Sequence, residues 1–261
     1  MITVGFIGTG NMGSALARAA SKAEGVGVYL YDKDERKATA LAEELGCAAS
    51  GLDGILDCKV IFLAVKPNIV KDVLTEIKPR LRPTSVLVSM AAGVSTSQIS
   101  LVLGKAPVIR IMPNTPAACG AGMMLYTKND TVTDGMLEAF KSVMAHSGEL
   151  DELPENLIDA ASALSGCGPA FVYMFIEALA DGAVACGLPR DKALAYAIET
   201  VKGSAEMVKA TGEHPEALKD KVCSPGGSTI AGVHELEVGA FRAATENAVI
   251  AAYKKTLSLG K

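Results

Sequence analysis

The chain has 261 residues, of which 49% are hydrophobic and 5% aromatic, with no tryptophan. Its formal net charge of −4 argues against a basic surface that binds nucleic acid or an acidic membrane. The length suffices for one large domain or two modest ones, and the aliphatic composition suits closely packed helices.

The six cysteines and three histidines are scattered, without the close spacing of metal ligands, so we expect no metal site. The first strand begins at the N-terminus, so no signal peptide is expected. The apolar stretch from Ala170 to Leu188 contains Glu177 and Asp181, which predicts a buried helix and not a membrane span. These features together predict a soluble cytoplasmic protein whose thiols stay reduced.

The N-terminal segment joins an apolar run, Ile2 to Ile7, to a G-x-G-x-x-G motif and then to helix-forming residues. This order is the context in which the motif indicates dinucleotide binding. Gly8 is expected to turn the chain off the strand, Gly10 to admit a pyrophosphate, and Gly13 to bring helix and strand close together. The N–H groups at the start of the helix would then face the phosphates. The expected cofactor contacts in this loop are Gly8, Thr9, Gly10, Asn11, Met12 and Gly13.

Residues 1–153 are predicted to form a dinucleotide-binding domain, because apolar runs alternate with amphipathic helical segments. The predicted strands are residues 26–31, 59–64, 85–89 and 107–111, and the predicted helices include residues 36–45 and 68–77. This alternation is typical of an α/β fold with a doubly wound, Rossmann-type parallel sheet. Such sheets bind their ligands at the carboxyl ends of the strands.

Three loops at predicted strand ends, residues 64–67, 90–93 and 112–117, combine small residues with prolines. Their rigid backbone would let a flat ring pack against it. Lys66 either reaches a ribose or phosphate oxygen or is a solvated surface lysine. Asn114 either binds a carboxamide or caps its own turn. The expected cofactor contacts in these loops are Val65, Lys66, Pro67, Ala91, Ala92 and Asn114.

Residues 154–261 are predicted to form an all-helical domain that binds the substrate and dimerises. The predicted helices are residues 156–164, 169–186, 191–209, 215–222 and 229–259, with a break near Gly239. So many alanines and so few large residues would leave apolar surface exposed in a lone domain. We therefore expect a homodimer or a larger assembly of dimers.

The segment Ser224 to Thr229 reads Ser-Pro-Gly-Gly-Ser-Thr and lies between two predicted helices. A helix N-terminus after such a turn is a second anion-binding arrangement, in which N–H groups near Gly227, Ser228 and Thr229 would hold a small carboxylate. Alternatively, Ser228 or Thr229 simply caps the helix without a ligand. These residues alone leave both readings open.

Two segments, residues 164–188 and 212–237, together resemble the signature of the Δ1-pyrroline-5-carboxylate reductase family of proline biosynthesis. The first contains Leu-Ser-Gly-Cys-Gly-Pro-Ala-Phe, and the second contains Ser-Pro-Gly-Gly-Ser-Thr. Residues 6–13, 64–67 and 112–116 also match that family in order, so the resemblance covers essentially the whole chain. It implies an oxidoreductase that reduces a cyclic imine, 1-pyrroline-5-carboxylate, to L-proline by hydride transfer from NAD(P)H.

The resemblance also implies roles for particular residues. The loop from Gly226 to Thr229 would receive the substrate carboxylate on its backbone N–H groups. The hydroxyl of Thr229 would approach the ring nitrogen, which makes Thr229 the expected catalytic residue. Glu155 would lie near the substrate, Glu213 would support the same loop, and Lys221 would contact the cofactor.

Asp32 departs from that family, which commonly has Ser, Thr or Asn after the second strand. An acid at this position usually holds the ribose 2′-hydroxyl and disfavours a 2′-phosphate. Against that, Lys33, Arg36 and Lys37 follow closely and would neutralise a phosphate. The resemblance therefore implies NADPH as the main cofactor, with NADH kept possible by Asp32.

Two other functions remain as alternatives. A related imine reductase or β-hydroxyacid dehydrogenase would share the first half of the chain, but the hydroxyacid enzymes usually need a helix-borne lysine near the domain junction. Residues 165–168 offer no lysine. A non-catalytic NADP(H) sensor would not need the second anion-binding loop.

Overall fold

The computed structural model describes residues 1–259. The strands are β1 (Ile2–Ile7), β2 (Val26–Tyr31), β3 (Ala48–Ala49), β4 (Val60–Leu63), β5 (Val86–Ser89), β6 (Val108–Met112), β7 (Gly122–Lys128) and β8 (Gly148–Glu152). The first six helices are α1 (Asn11–Ala20), α2 (Glu35–Leu45), α3 (Leu52–Leu56), α4 (Val70–Ile77), α5 (Thr96–Leu103) and α6 (Asp134–Val143). The other six are α7 (Glu155–Ser165), α8 (Gly168–Ala185), α9 (Arg190–Thr211), α10 (Pro215–Val222), α11 (Ser228–Val238) and α12 (Phe241–Leu259).

The strands form one sheet in the order β3-β2-β1-β4-β5-β6-β7-β8. The pairings from β3 to β6 are parallel, whereas β7 runs antiparallel to β6 and β8 runs parallel to β7. The strand order reverses between β1 and β4, and crevices at such reversals are where these sheets bind dinucleotides. The prediction of a Rossmann-type sheet is confirmed, with two further strands added at one edge.

Helices cover both faces of this sheet and create two cores. Leu16 of α1 and Phe140 of α6 belong to one core, and Leu74 of α4 and Ile99 of α5 belong to the other. Every residue of β4 is buried, and alternate residues of this strand enter opposite cores. This two-sided burial explains the near-continuous apolar run in the sequence.

Two local details differ from the predicted elements. The acidic segment Gly148–Glu152, where the strand pattern was expected to stop, forms strand β8. Among the described residues this edge strand pairs with β7 alone, so it needs no apolar alternation, and its charges suit an exposed edge. The predicted helix over residues 68–77 opens as a 3₁₀ turn at Pro67–Ile69 before α4 begins. Proline is well suited to such a first turn.

The described chain divides into two compact units. Unit 1 comprises Met1–Cys167 together with the C-terminal residues from Ala252, and unit 2 comprises Gly168–Ala251. The domain boundary expected after residue 153 stays a prediction. The last two residues of the expected helical domain, 260 and 261, lie outside the described part of the chain. Unit 2 is all-helical and has a small core between α8 and α9, formed by Ala180, Ala193 and Ala197.

The expectation that residues 170–188 form a buried helix is wrong for the single chain. Within α8 only Ala180 is buried, whereas Met174 is 70% exposed. By length and composition alone, Glu155–Ala185 would suffice to cross a membrane, a test that helices of soluble proteins also pass. The helix lacks cover in the single chain because the core of unit 2 is built on three buried alanines, while large apolar side chains on its helices stay exposed.

Candidate functional site

The glycine loop between β1 and α1 is crowded at Gly8 and Gly13 and open at Gly10. Gly8 has a φ of +100°, and a Cβ there would lie 2.6 Å from the carbonyl oxygen of Ala64. A Cβ at Gly13 would lie 2.3 Å from the carbonyl oxygen of Gly8. A Cβ at Gly10, by contrast, would meet nothing within 4 Å. These surroundings fit a tight turn, a close helix–strand contact and an open approach for a phosphate.

A cleft of about 620 Å³ opens beside this loop, at the carboxyl ends of β1, β2 and β4. It brings together Gly8, Gly10, Asp32, Val65 and Lys66 from three separate predicted segments. This volume is in the range of small-molecule sites. Within residues 1–259 no side chain caps α1, whose N-cap is Gly10, so the N–H groups of its first turn are available to an anion. Thr9, Asn11 and Met12 lie on the loop and that first turn, and Pro67 follows Lys66.

Asp32 is engaged with the glycine loop itself. Its Oδ2 accepts hydrogen bonds from the backbone N–H of Thr9, at 2.7 Å, and from the hydroxyl of Thr9, at 2.9 Å. Its Oδ1 accepts from the N–H of Asp34 at 3.0 Å. Burial raises the pKa of Asp32, but these hydrogen bonds outweigh it and hold the pKa below its ordinary 3.8. The ionised carboxylate therefore ties the end of β2 to the loop.

The loops after β5 and β6 lie on the same edge of the sheet. Ala91 is buried and Ala92 is partly buried. Asn114 does not cap its own turn: its Nδ2 donates to the carbonyl of Ser165 at 3.0 Å, and its Oδ1 accepts from the N–H of Met123 at 2.9 Å. Asn114 thus links the end of α7 to the start of β7 and keeps one N–H available for another partner.

An ion cluster around a buried arginine links β6 and α7 to the first turn of α5; of its members, the sequence pointed only to Glu155, as a residue near the substrate. Arg110 of β6 is 2% exposed and pairs with Asp159 at 2.5 Å and with Glu155 at 3.5 Å. The Glu155 carboxylate also accepts from the N–H of Thr96, at 2.7 Å, and from its hydroxyl, at 2.6 Å. The signal was an arginine within an otherwise apolar strand, Val108–Met112, where a buried charge requires a partner.

In unit 2, the Ser-Pro-Gly-Gly-Ser-Thr loop joins α10 to α11. Gly226 has a φ of +67°, and a Cβ at Gly227 would lie 2.4 Å from the hydroxyl oxygen of Ser224. Gly227 is the N-cap of α11, and neither Ser228 nor Thr229 caps the helix. The first N–H groups of α11 are therefore not covered by a capping side chain, as an anion site requires.

Glu213 and Lys221 brace the same region. Nζ of Lys221, in the last turn of α10, lies 2.5 Å from Oε2 of Glu213, just before α10. This ion pair joins the last turn of α10 to the segment that leads into the helix, immediately before the glycine turn. The contact of Lys221 with the cofactor stays a prediction.

Comparisons with known proteins agree in both halves of the chain. Residues 155–259 match the family model for pyrroline-5-carboxylate reductase dimerisation. Residues 3–93 match the model for coenzyme F420-dependent NADP oxidoreductases.

Several curated relatives match over nearly the full chain. The pyrroline-5-carboxylate reductase of Pisum sativum is 41% identical, with 98% of this chain and 96% of that protein covered. The enzyme of the same name from Escherichia coli (strain K12) is 42% identical, with 99% and 98% covered. The crystal structure of Plasmodium falciparum pyrroline carboxylate reductase with NADP bound has a TM-score of 0.90 at 34% identity, with 100% of this chain and 98% of that chain covered. The chain therefore belongs to the pyrroline-5-carboxylate reductase family.

Proposed function

We propose that this chain reduces 1-pyrroline-5-carboxylate to L-proline with NAD(P)H, the final step of proline biosynthesis. The observation that carries the proposal is the similarity to reductases of that name over nearly the whole chain, at about 40% identity. The glycine loop adds independent support, because Gly10 opens towards a cleft of suitable size at the reversal of strand order.

NADPH is the main cofactor in this proposal, and NADH is possible. The first turn of α1 would hold the diphosphate, and Lys66 would approach a ribose or phosphate oxygen. The cleft contains Lys33 and Lys66 as cations, but also the carboxyl groups of Asp32, Asp72 and Glu76. This mixed charge is compatible with both nucleotides, and Asp32 weakens the preference for a 2′-phosphate.

The substrate carboxylate is assigned to the N-terminus of α11. Backbone N–H groups of Ser228 and Thr229 would receive it, assisted by the positive end of the helix dipole. The N–H of Gly227, which was expected to join them, already donates to the carbonyl oxygen of Ser224 at 3.0 Å. A charge there is stabilised by about 0.3–1 kcal/mol when exposed and by up to about 2 kcal/mol when partly buried. The hydroxyl of Thr229 would then orient the ring nitrogen.

The chemistry follows from the charge of the substrate. A protonated imine is already electrophilic, so the protein needs no covalent nucleophile. The reduced nicotinamide supplies the hydride, which adds to the imine carbon while the C=N π electrons become the nitrogen lone pair. The chain contributes orientation: the glycine loop fixes one reactant, the α11 N-terminus fixes the other, and good alignment lowers such barriers by about 7–11 kcal/mol in favourable cases.

The enzyme is a homodimer, assembled through its helical residues. The apolar side chains left exposed on α8, α9, α11 and α12 supply the surface that a second copy would cover. Coverage of this surface by a second copy would also account for the apolar character of Glu155–Ala185, so this stretch does not require a membrane. We further propose that the dimer is soluble and cytoplasmic.

The defining experiment is a rate assay. NADPH and NADH oxidation are followed by absorbance, with 1-pyrroline-5-carboxylate as substrate and a β-hydroxyacid as control. The proposal expects rapid oxidation with the imine alone and faster turnover with NADPH. Binding of NADPH without imine-dependent turnover would contradict it.

Thr229→Ala tests the catalytic assignment. Loss of a hydrogen bond to a charged group costs about 1.5–3 kcal/mol, so turnover should fall by about 10- to 100-fold. The affinity for NADPH should not change, and Thr229→Ser should retain most of the activity. An unchanged rate of imine reduction in Thr229→Ala would remove Thr229 from the mechanism.

A further inference from the structure

We infer that Arg110 and Glu155 form a positioning pair for hydride transfer, which fixes the loop after β5 by holding the first turn of α5. The inference rests on the proposed function: Ala91 and Ala92 of that loop are expected cofactor contacts, and we take the flat ring that packs against them to be the nicotinamide. Arg110 and Glu155 act through the loop and need not touch either reactant.

The loop leaves β5, which pairs with the strand that carries Arg110, and enters α5, whose first residue Glu155 holds. At its start, Arg110 is the register partner of Ser89, the last residue of β5. At its end, Thr96 is the first residue of α5, and both its N–H and its hydroxyl donate to Glu155. Residues 90–95 therefore run between two points that Arg110 and Glu155 connect.

Electrostatics makes this anchor specific. Glu155 and Asp159 are four residues apart on α7 and thus share one face of the helix. Both carboxylates meet the Arg110 guanidinium, which is 2% exposed, while Glu155 also faces the positive N-terminal end of α5. A planar guanidinium can serve two carboxylates at once, whereas a lysine supplies a single point charge.

The same contacts would also exist in a purely structural cluster, so the test must separate the two roles. A structural role lowers the thermal midpoint but leaves the folded enzyme with normal chemistry. A positioning role changes how the nicotinamide end of the cofactor is held, while the adenosine end, bound at the glycine loop, is unaffected.

The experiment compares Glu155→Gln, Arg110→Lys and Thr96→Val with two controls. Thr96→Ser retains the hydroxyl, and Glu152→Gln removes the carboxylate of a different ion pair, with Lys128 on the neighbouring strand. Three quantities are measured in the full-length protein: the isotope effect on kcat with NADPH deuterated at C4, the affinity for NADPH, and the affinity for 2′,5′-ADP, which lacks nicotinamide.

In the three test variants, kcat should fall by about tenfold and the isotope effect should rise, because misalignment slows the hydride step. Affinity for NADPH should fall severalfold, whereas affinity for 2′,5′-ADP should match the unaltered enzyme. Thr96→Ser and Glu152→Gln should behave like the unaltered enzyme in all three measurements.

The inference is overturned if Glu155→Gln and Thr96→Val keep the normal isotope effect and NADPH affinity. It is equally overturned if both nucleotides lose affinity together. Glu155→Gln and Thr96→Val change the contact between Glu155 and Thr96 with little change in side-chain size. They therefore decide between the positioning role and the structural role even if Arg110→Lys does not fold. If the unaltered protein does not reduce the imine, the proposed function fails, and the two nucleotide affinities still test the anchor.

Discussion

Gly10 and Gly13 lie three residues apart, yet a methyl group would meet different surroundings at each. Gly13→Ala would place Cβ 2.3 Å from the Gly8 carbonyl oxygen, so backbone must shift. We expect this overpacking to lower the free energy of unfolding by about 1–3 kcal/mol and to weaken nucleotide binding. Urea unfolding and NADPH titration measure both effects.

Gly10→Ala is the matched control, because its Cβ would meet no protein atom within 4 Å and its φ of −67° suits alanine. The free energy of unfolding should therefore stay within about 1 kcal/mol of the unaltered value. NADPH affinity should nevertheless fall about tenfold or more, since the methyl group would stand where the backbone approaches the pyrophosphate. Equal loss of stability in both variants would contradict the assignment of this loop.

A second prediction for a single residue concerns Asp32 and the choice between NADPH and NADH. Its lowered pKa keeps the carboxylate ionised at neutral pH, where it would oppose a 2′-phosphate. Two like charges about 4 Å apart repel by about 1 kcal/mol in water and more near protein, so Asp32→Asn should raise the NADPH-to-NADH affinity ratio by about tenfold. Calorimetric titration of both nucleotides gives the ratio.

Asp34→Asn is the control for charge alone. Its side chain lies 4.0 Å from Lys37, and its own N–H, not its carboxylate, meets Asp32. The affinity ratio should change by less than about twofold, because exposed charges are screened. If Asp34→Asn and Asp32→Asn shift the ratio equally, net charge and not the Asp32 position governs the choice.

Among the elements, α5 carries a complete capping box. The hydroxyl of Ser95 accepts from the N–H of Gln98 at 3.1 Å, and the N–H of Ser95 donates to Oε1 of Gln98 at 2.7 Å. Ser95→Ala should lower the free energy of unfolding by about 0.5–2 kcal/mol. Thr75→Ala, in the exposed part of α4, should not. A stability change of Ser95→Ala no larger than that of Thr75→Ala in urea unfolding would show that the cap contributes little.

The central elements could be predicted from the sequence because they bury both faces. Strands β1 and β4, and the αL glycine at Gly46 that ends α2, follow from apolar runs and turn chemistry. Strand β8 could not be predicted in this way, because an edge strand with three acidic residues shows no apolar alternation. Its pairing depends on β7, a partner that only the folded chain supplies.

The candidate site likewise has parts that could be predicted from the sequence and parts that could not. The glycine loop and the Ser224 to Thr229 loop are each contiguous in sequence. The spacing of the first predicts dinucleotide binding, whereas the second left an anion site and a simple helix cap both open until the family resemblance was considered. The Arg110 cluster joins residues 96, 110, 155 and 159, which are distant in sequence and meet only through sheet register and helix packing. The hydrogen bonds of Asn114 to residues 123 and 165 were likewise outside the reach of local patterns.

At the scale of the whole molecule, unit 2 is the feature that requires a second copy. Its core contains three buried alanines, while large apolar side chains on its helices stay exposed. A helical unit so short of buried area has little to offset the entropy cost of ordering its chain. Folding and dimerisation are therefore expected to be linked.

This linkage predicts that thermal stability depends on concentration. For a homodimer without a stable monomer, a tenfold rise in concentration stabilises the dimer by about 1.4 kcal/mol, which corresponds to a rise of about 1–2 °C in the thermal midpoint. Light scattering should give twice the chain mass of 26.9 kDa, or a multiple of that dimer. Met174→Lys, which adds a charge to the exposed face of α8, should lower both the midpoint and the mass.

Leu101→Lys tests whether the dimer depends on the helical surface of unit 2 or on any exposed apolar side chain. Leu101 is 86% exposed on α5 in unit 1, against 70% for Met174 in unit 2. Replacing Leu101 should leave the mass and the concentration dependence unchanged, because Leu101 lies in unit 1, outside the helices assigned to the dimer surface, and exposed leucines are ordinary on protein surfaces. If Leu101→Lys dissociates the dimer while Met174→Lys does not, the surface that joins the two copies lies on the nucleotide-binding unit, and the helical residues do not form it.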